Sequence, residues 1–276
     1  MRIYKTKGEA IIQNGDRSYK KEIRDWDNFL NRNNLYECLL EDIGTLEPLS
    51  TPISDHSFDP PMGSQEIWAS GVTYMKSKEA RMEESKKSGG GSFYDRVYDA
   101  ERPELFFKAT PSRTVGHLGT VRIRKDSTWN VPEPELTLFI NSEGSIEGYT
   151  IGNDMSSRSI EGENPLYLPQ AKTYEGCAAL GPCLYVPEMP IDQNTMIKLD
   201  IIRNQSSIFN GEVPLSNMKR KHIELVDFLF RECAFQNGCF LMTGTGIVPP
   251  DEFTLELGDT IHITIDHIGI LTNVVG

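Results

Sequence analysis

Three acids and a lysine are embedded in strand-like, turn-rich sequence between Pro132 and Tyr174. Glu133 and Glu135 stand two apart, so on a strand both side chains leave the same face. Residues 136–140 and 146–151 read as strands, and Asn141-Ser142-Glu143-Gly144 between them reads as a turn, which makes the pair a hairpin. In that ladder paired residue numbers sum to roughly 285, which sets Glu133 against the region of Gly152 with Asp154 just beyond. Pro134 is the weak point of this register, because a proline within a strand implies an edge or a bulge. Glu133, Glu135 and Asp154 are thus expected to converge at the open end of one hairpin. Carboxylates held that close repel, and an oxygen-only set relieved by a hard divalent cation suits Mg²⁺ or Mn²⁺. The plain alternative is a set of solvated acids at strand ends, with Lys172, Arg158 and Glu161 neutralising one another nearby.

The rest of the 276 residues bounds the function. An apolar content of 38% is enough for a core. A net charge of −12 argues against nucleic acid and against anionic membrane as partners, since both need a basic surface. No apolar run is long enough to span a bilayer, and Met1-Arg2-Ile3-Tyr4-Lys5 has no signal-peptide core, so a cytoplasmic location is expected. Five cysteines without a Cys-x-x-Cys pair read as reduced thiols, not as disulfides or a zinc site.

Residues 1–64 read as a small N-terminal domain with a helix over 26–40, followed by a catalytic domain over 65–276. Strands are expected at 67–72, 106–109, 121–124, 197–203 and 260–265. A charged helix over 76–88 ends at Gly89-Gly90-Gly91 and has the composition of a mobile lid or of a surface excursion. A second helix is expected over 218–236, with Ile223, Val226, Leu229, Phe230 and Cys233 as its apolar stripe.

Several of these segments, taken together, resemble the fumarylacetoacetate hydrolase superfamily. They are Glu133-Pro134-Glu135-Leu136, Gly148-Tyr149-Thr150, Gly152-Asn153-Asp154-Met155-Ser156-Ser157-Arg158, Ala171-Lys172, Gly181-Pro182, Thr243-Gly244-Thr245-Gly246 and Leu257-Gly258-Asp259-Thr260, followed by 269–273. The resemblance covers about residues 65 to 276. Within the superfamily, the blocks at 98–108 and 159–170 are similar to the 2-keto-3-deoxy-pentonate dehydratases. Hydrolases of the superfamily carry a His and a Glu on the lid, in an Asn-Tyr-x-x-His-x-x-Glu pattern. Here Ser77 and Ala80 stand at those places, so the usual base for water activation is missing.

The resemblance implies an α+β fold, a mixed β-sandwich roll behind a small N-terminal domain, in a homo-oligomer (dimer or tetramer). It implies a Mg²⁺-dependent hydro-lyase acting on a keto acid, with Mn²⁺ as the other candidate ion. Glu133, Glu135 and Asp154 would hold the ion, and a 2-keto-3-deoxy-pentonate would lose water through a metal-stabilised enolate to give 2-oxoglutarate semialdehyde. Lys172 and Glu104 are the expected proton-transfer pair. Lys172 has a second reading, as a fixed cation for the substrate carboxylate, and Glu104 as an ion-pair partner of Arg102 or Lys108. Thr245, Arg102, Gln170 and Ser70 are the expected substrate contacts. Three rival activities stay open: a C–C hydrolase of acylpyruvates or diketo acids, a decarboxylase or isomerase, and a non-catalytic protein with a structural cation site.

Overall fold

The computed structural model describes residues 1–50, 58–84 and 96–276. His56, the triple glycine and the end of the charged 76–88 segment lie outside the described residues. The hairpin that carries the acids is the middle of a ten-stranded sheet. Strand Pro134–Ile140 pairs with Ile146–Asp154 on one side and with Cys239–Met242 on the other. Beyond Cys239–Met242 come Glu66–Gly71, in parallel, and then Glu104–Ala109. On the other flank lie Ala178–Tyr185 and the first three strands of the chain, Arg2–Thr6, Glu9–Asn14 and Arg17–Glu22. A five-stranded sheet, ordered Ser206–Pro214, Met196–Arg203, Thr260–Ile265, Gly269–Val275 and Thr120–Val121, covers one face of the large sheet.

Alternation decides what each face buries. Leu136, Leu138 and Ile140 point into the sandwich, where they share a core with Ile197, Leu199, Ile201, Ile261, Ile263 and Leu271 of the smaller sheet. Thr137 and Phe139 point the other way. There Phe139 meets Phe240, ring centroids 5.2 Å apart, and both join Leu30, Leu35 and Leu39 of the N-terminal helices. The acids belong to this second face, at the end where the N-terminal helices do not cover it. Residues 1–64 therefore carry helices of their own but share both sheet and core with the rest. Ile3 and Ile12 lie in the same cluster as Ile67, Ala69 and Leu184, and Arg2 pairs with Tyr185.

Three local expectations change in the structure. The helix expected over 26–40 is two helices, Trp26–Leu30 and Leu35–Gly44, broken where Asn34 adopts a φ of +53°. The Glu147 carboxylate accepts from the Asn34 and Leu35 N–H groups at 3.2 and 2.8 Å, satisfying donors that a helix start leaves open. The helix expected over 218–236 is confined to His222–Phe230. Its buried face is Leu225, Val226 and Leu229, whereas Ile223 is 65% exposed and Cys233 is also exposed, so these two leave the expected stripe. The strand expected over 121–124 is only Thr120–Val121. Strand Thr260–Ile265 has the expected bounds, and Glu66–Gly71, Pro134–Ile140 and Met196–Arg203 lie within two residues of theirs.

Candidate active site

The hairpin register is displaced by two residues, one set at the turn, where Ile146 faces Ile140, and one by a bulge, neither of them at Pro134. Glu147 is an extra residue between the pairs Ile146↔Ile140 and Gly148↔Phe139. Glu135 consequently faces Gly152. Glu133 faces Asp154, each N–H donating to the other's carbonyl at 3.2 and 3.0 Å. The shift improves the convergence: carboxylate oxygens of Glu133, Glu135 and Asp154 lie within 4.8 Å of one another. All three residues are buried, Glu135 and Asp154 to 1% exposure. Burial, with Asp154 and Glu133 adding negative charge, pushes the Glu135 carboxyl well above the usual carboxylate range. Its Oε2 accepts from the Gly244 N–H at 2.6 Å. Gly244 has a φ of +95°, and a Cβ there would collide with Thr73 Oγ1, so the approach that makes this bond needs glycine.

Among the described residues, three buried cations face the three acids. Lys172 Nζ donates to Glu133 Oε2 at 2.6 Å, to Asp154 Oδ2 at 3.3 Å and to Ser156 Oγ at 2.6 Å. Lys108 Nζ lies 2.6 Å from Asp154 Oδ1 and donates to the Met155 and Lys172 carbonyls. Arg158 Nη2 lies 3.5 Å from Glu133 Oε1. Buried charge persists only where it is compensated in this way. The arrangement also fits a bound divalent cation, because it gathers three carboxylates, all hard oxygen donors, in one small cavity. Ser70, Gly71, Phe106 and Thr245 complete one wall of that cavity, and Ser77 and Ala80 of helix Met75–Glu84 close another.

The expected residues divide clearly. Glu133, Glu135, Asp154, Lys172, Ser70 and Thr245 come together around the cavity. Glu104 lies beside it: it pairs with Gly71 across the ladder, and a Cβ on Gly71 would collide with Glu104 Oε2. That oxygen is buried and makes no hydrogen bond among the described residues. Arg102 and Gln170 are not brought to the cavity. Arg102 lies over the Phe228 ring, 5.5 Å from its centroid. Gln170 shares helix Leu168–Lys172 with Lys172, and two residues apart on a helix means nearly opposite directions, so an inward Lys172 leaves Gln170 exposed. Among the described residues, neither Arg102 nor Lys108 pairs with Glu104.

Lys108, Ser156 and Gly244 were missed as site residues by sequence reasoning. A signal existed for the first, a lysine inside the apolar strand Glu104–Ala109, since a charge there must find a buried partner. Among the described residues no histidine lines the cavity. Ser77, at the place of the hydrolase histidine, spends its hydroxyl on Tyr74, accepting from its N–H and donating to its carbonyl.

Residues 66–276 match the family model of the fumarylacetoacetate (FAA) hydrolase C-terminal domain. The chain belongs to that family. Its relatives include a protein of Haloferax volcanii described as "Probable 2-keto-3-deoxyxylonate dehydratase", 48% identical over 77% of this chain and 73% of that protein. A 2-dehydro-3-deoxy-D-arabinonate dehydratase of Saccharolobus solfataricus is 43% identical over 80% of this chain and 75% of the relative. Both names describe hydro-lyases. Among solved structures, a hexagonal crystal form of 2-keto-3-deoxyarabinonate dehydratase superposes with a TM-score of 0.87 at 34% identity, covering 100% of this chain and 99% of the other. A 2-keto-3-deoxy-D-arabinonate dehydratase complexed with magnesium and 2,5-dioxopentanoate superposes with a TM-score of 0.79 at 33% identity, covering 100% and 98%. Mixed sheets with few helices are thus the shared architecture.

Proposed function

We propose that this family member is a Mg²⁺-dependent hydro-lyase that removes water from a 2-keto-3-deoxy-pentonate to give 2-oxoglutarate semialdehyde. The observation that carries the proposal is the trio Glu133, Glu135 and Asp154, buried within 4.8 Å of one another beside Lys172. Two relatives named as dehydratases support it, as does a structural neighbour holding magnesium and 2,5-dioxopentanoate, which is that semialdehyde.

Glu133, Glu135 and Asp154 would hold the ion, which when bound draws electron density from a keto oxygen and makes the neighbouring carbon more acidic. Lys172 is proposed to accept the C3 proton. Glu133 and Ser156 fix its amine at 2.6 Å each, so it is held in place before substrate arrives. Glu104 is proposed to protonate the departing C4 hydroxyl. Its Oε2, buried and without a hydrogen bond among the described residues, is a group that gains from a hydrogen bond with that hydroxyl. The carbon–oxygen bond at C4 breaks and its electron pair leaves with the new water, giving a C3–C4 double bond conjugated to the ketone. A proton lost from C5 and one gained at C3 convert this to the C4–C5 enol, which tautomerises to the 2-keto aldehyde. Thr245 and Ser70 are proposed as contacts for the carboxylate end. Arg102 and Gln170, outside the cavity, have no part in the proposed site.

The hydrolase alternative needs a base on helix Met75–Glu84, and Ser77 and Ala80 supply none. The test is incubation of the purified protein with 2-keto-3-deoxy-D-arabinonate and Mg²⁺. Semialdehyde formation abolished by a chelator is the expected result. Release of pyruvate from an acylpyruvate, with no semialdehyde from the sugar acid, would overturn the proposal.

A further inference from the structure

A cluster outside the cavity grips the two segments that frame it. Arg220 is only 8% exposed. Its guanidinium donates to the main-chain carbonyls of Val97, Ala100 and Glu101 at 3.1, 2.5 and 3.2 Å, and to the Glu224 carboxylate. Lys219 donates to the Tyr98 carbonyl at 2.7 Å, pairs with Asp99 and lies 4.1 Å from the centroid of the Tyr98 ring. Its own N–H donates to the Thr73 carbonyl at 2.9 Å.

Tyr98, held in this way, is buried against Val72 and Met82. Val72 lines the cavity. Met82 belongs to helix Met75–Glu84, which also supplies Lys78, 5.0 Å from the Tyr98 ring centroid and 3.9 Å from Asp99. In the other direction the gripped segment leads within three residues to Glu104. Arg220 meets four acceptors with the five donors of one planar fork, whereas a lysine ammonium has three donors and no fixed fork.

We propose that Arg220, assisted by Lys219, is a positioning residue for the reaction: it fixes segment 97–101, and through it both the Glu104 carboxylate and the helix face bearing Ser77 and Ala80. The proposal rests on the reading of Glu104 as the acid of the dehydration.

The test is Arg220→Lys, which keeps the charge and removes the fork. kcat is expected to fall ten-fold or more while Mg²⁺ affinity, read by calorimetry on the metal alone, stays within two-fold of the parent. Hydrogen exchange should quicken at 72–82 and 97–104 and stay unchanged in 134–140 and 146–154. Exchange is read without turnover, so a parent protein inactive on the keto acid would sink the dehydratase reading while leaving the clamp measurable. A variant with parental kcat, or faster exchange throughout the chain, overturns the positioning role. If Arg220→Lys fails to fold, Lys219→Met takes its place: a three-fold or greater loss of kcat with the same local exchange pattern is expected, and parental values overturn the proposal.

Discussion

Glu135 is an acid whose surroundings oppose its charge: it is 1% exposed and close to two other carboxylates, and its charge is answered by the Gly244 N–H and nearby Lys172. Glu135→Gln removes one hard ligand and leaves the volume unchanged. Metal affinity should fall by about 100-fold or more, beyond the usual loss for a residue that only orients a ligand. Calorimetric titration with Mg²⁺ and the semialdehyde assay check this, and an active variant in chelator-treated buffer would rule the assignment out. Lys172→Ala separates chemistry from binding. Turnover is expected to drop about 10²-fold or more, the range of a lost proton-transfer group, with a far smaller change in Mg²⁺ affinity because Lys108 and Arg158 still face the acids. Unchanged turnover would remove Lys172 from the reaction.

The bulge at Glu147 links two elements that sequence reasoning treated separately. It shifts the acid hairpin by one residue of register beyond the turn, and the same carboxylate caps helix Leu35–Gly44 while accepting from the Asn141 amide at 2.9 Å. Glu147→Ala should cost about 1 kcal/mol of stability, the usual size of a lost helix cap. Chemical denaturation checks the loss, and intact Mg²⁺ binding would show that the bulge itself survives without its side chain. The hairpin was legible beforehand because Asn141 to Gly144 is a turn between two apolar runs. The bulge was not, because two of the partners that distinguish Glu147, Asn34 and Leu35, lie more than a hundred residues away.

Across the molecule, residues 1–64 complete a sheet edge and cover one face of the core. A chain beginning at residue 65 would expose strand Ala178–Tyr185 and the cluster around Phe139 and Phe240. Each such side chain loses about 1.5–3 kcal/mol of burial. Truncated protein is expected to aggregate in size-exclusion chromatography, whereas a soluble, cooperatively melting fragment would make the N-terminal segment a dispensable domain. Acid sensitivity has a separate origin. Burial lowers the His222 pKa to about 4, below its ordinary value, so the unfolded chain binds this proton more readily. Its contribution to stability is present above about pH 6.5 and is lost as pH falls toward 4, at most about 3 kcal/mol. His222→Phe should flatten the melting temperature over that window, which scanning calorimetry at several pH values reads directly.

Local chemistry made much of the site readable. The spacing of Glu133 and Glu135, the turn after Ile140 and the serine and alanine at 77 and 80 are short-range facts that a strand or helix converts into a face. Lys108 beside Asp154 and the orientation of Gln170 away from the cavity were decided only when distant elements met, and the pairing of Glu133 with Asp154 only when the hairpin took up its bulge. Burial is the reason. A charge in water is indifferent to its neighbours, but one enclosed between sheet and helix must be answered by an opposite charge or a fixed donor. Which residue answers depends on contacts that no run of adjacent residues encodes.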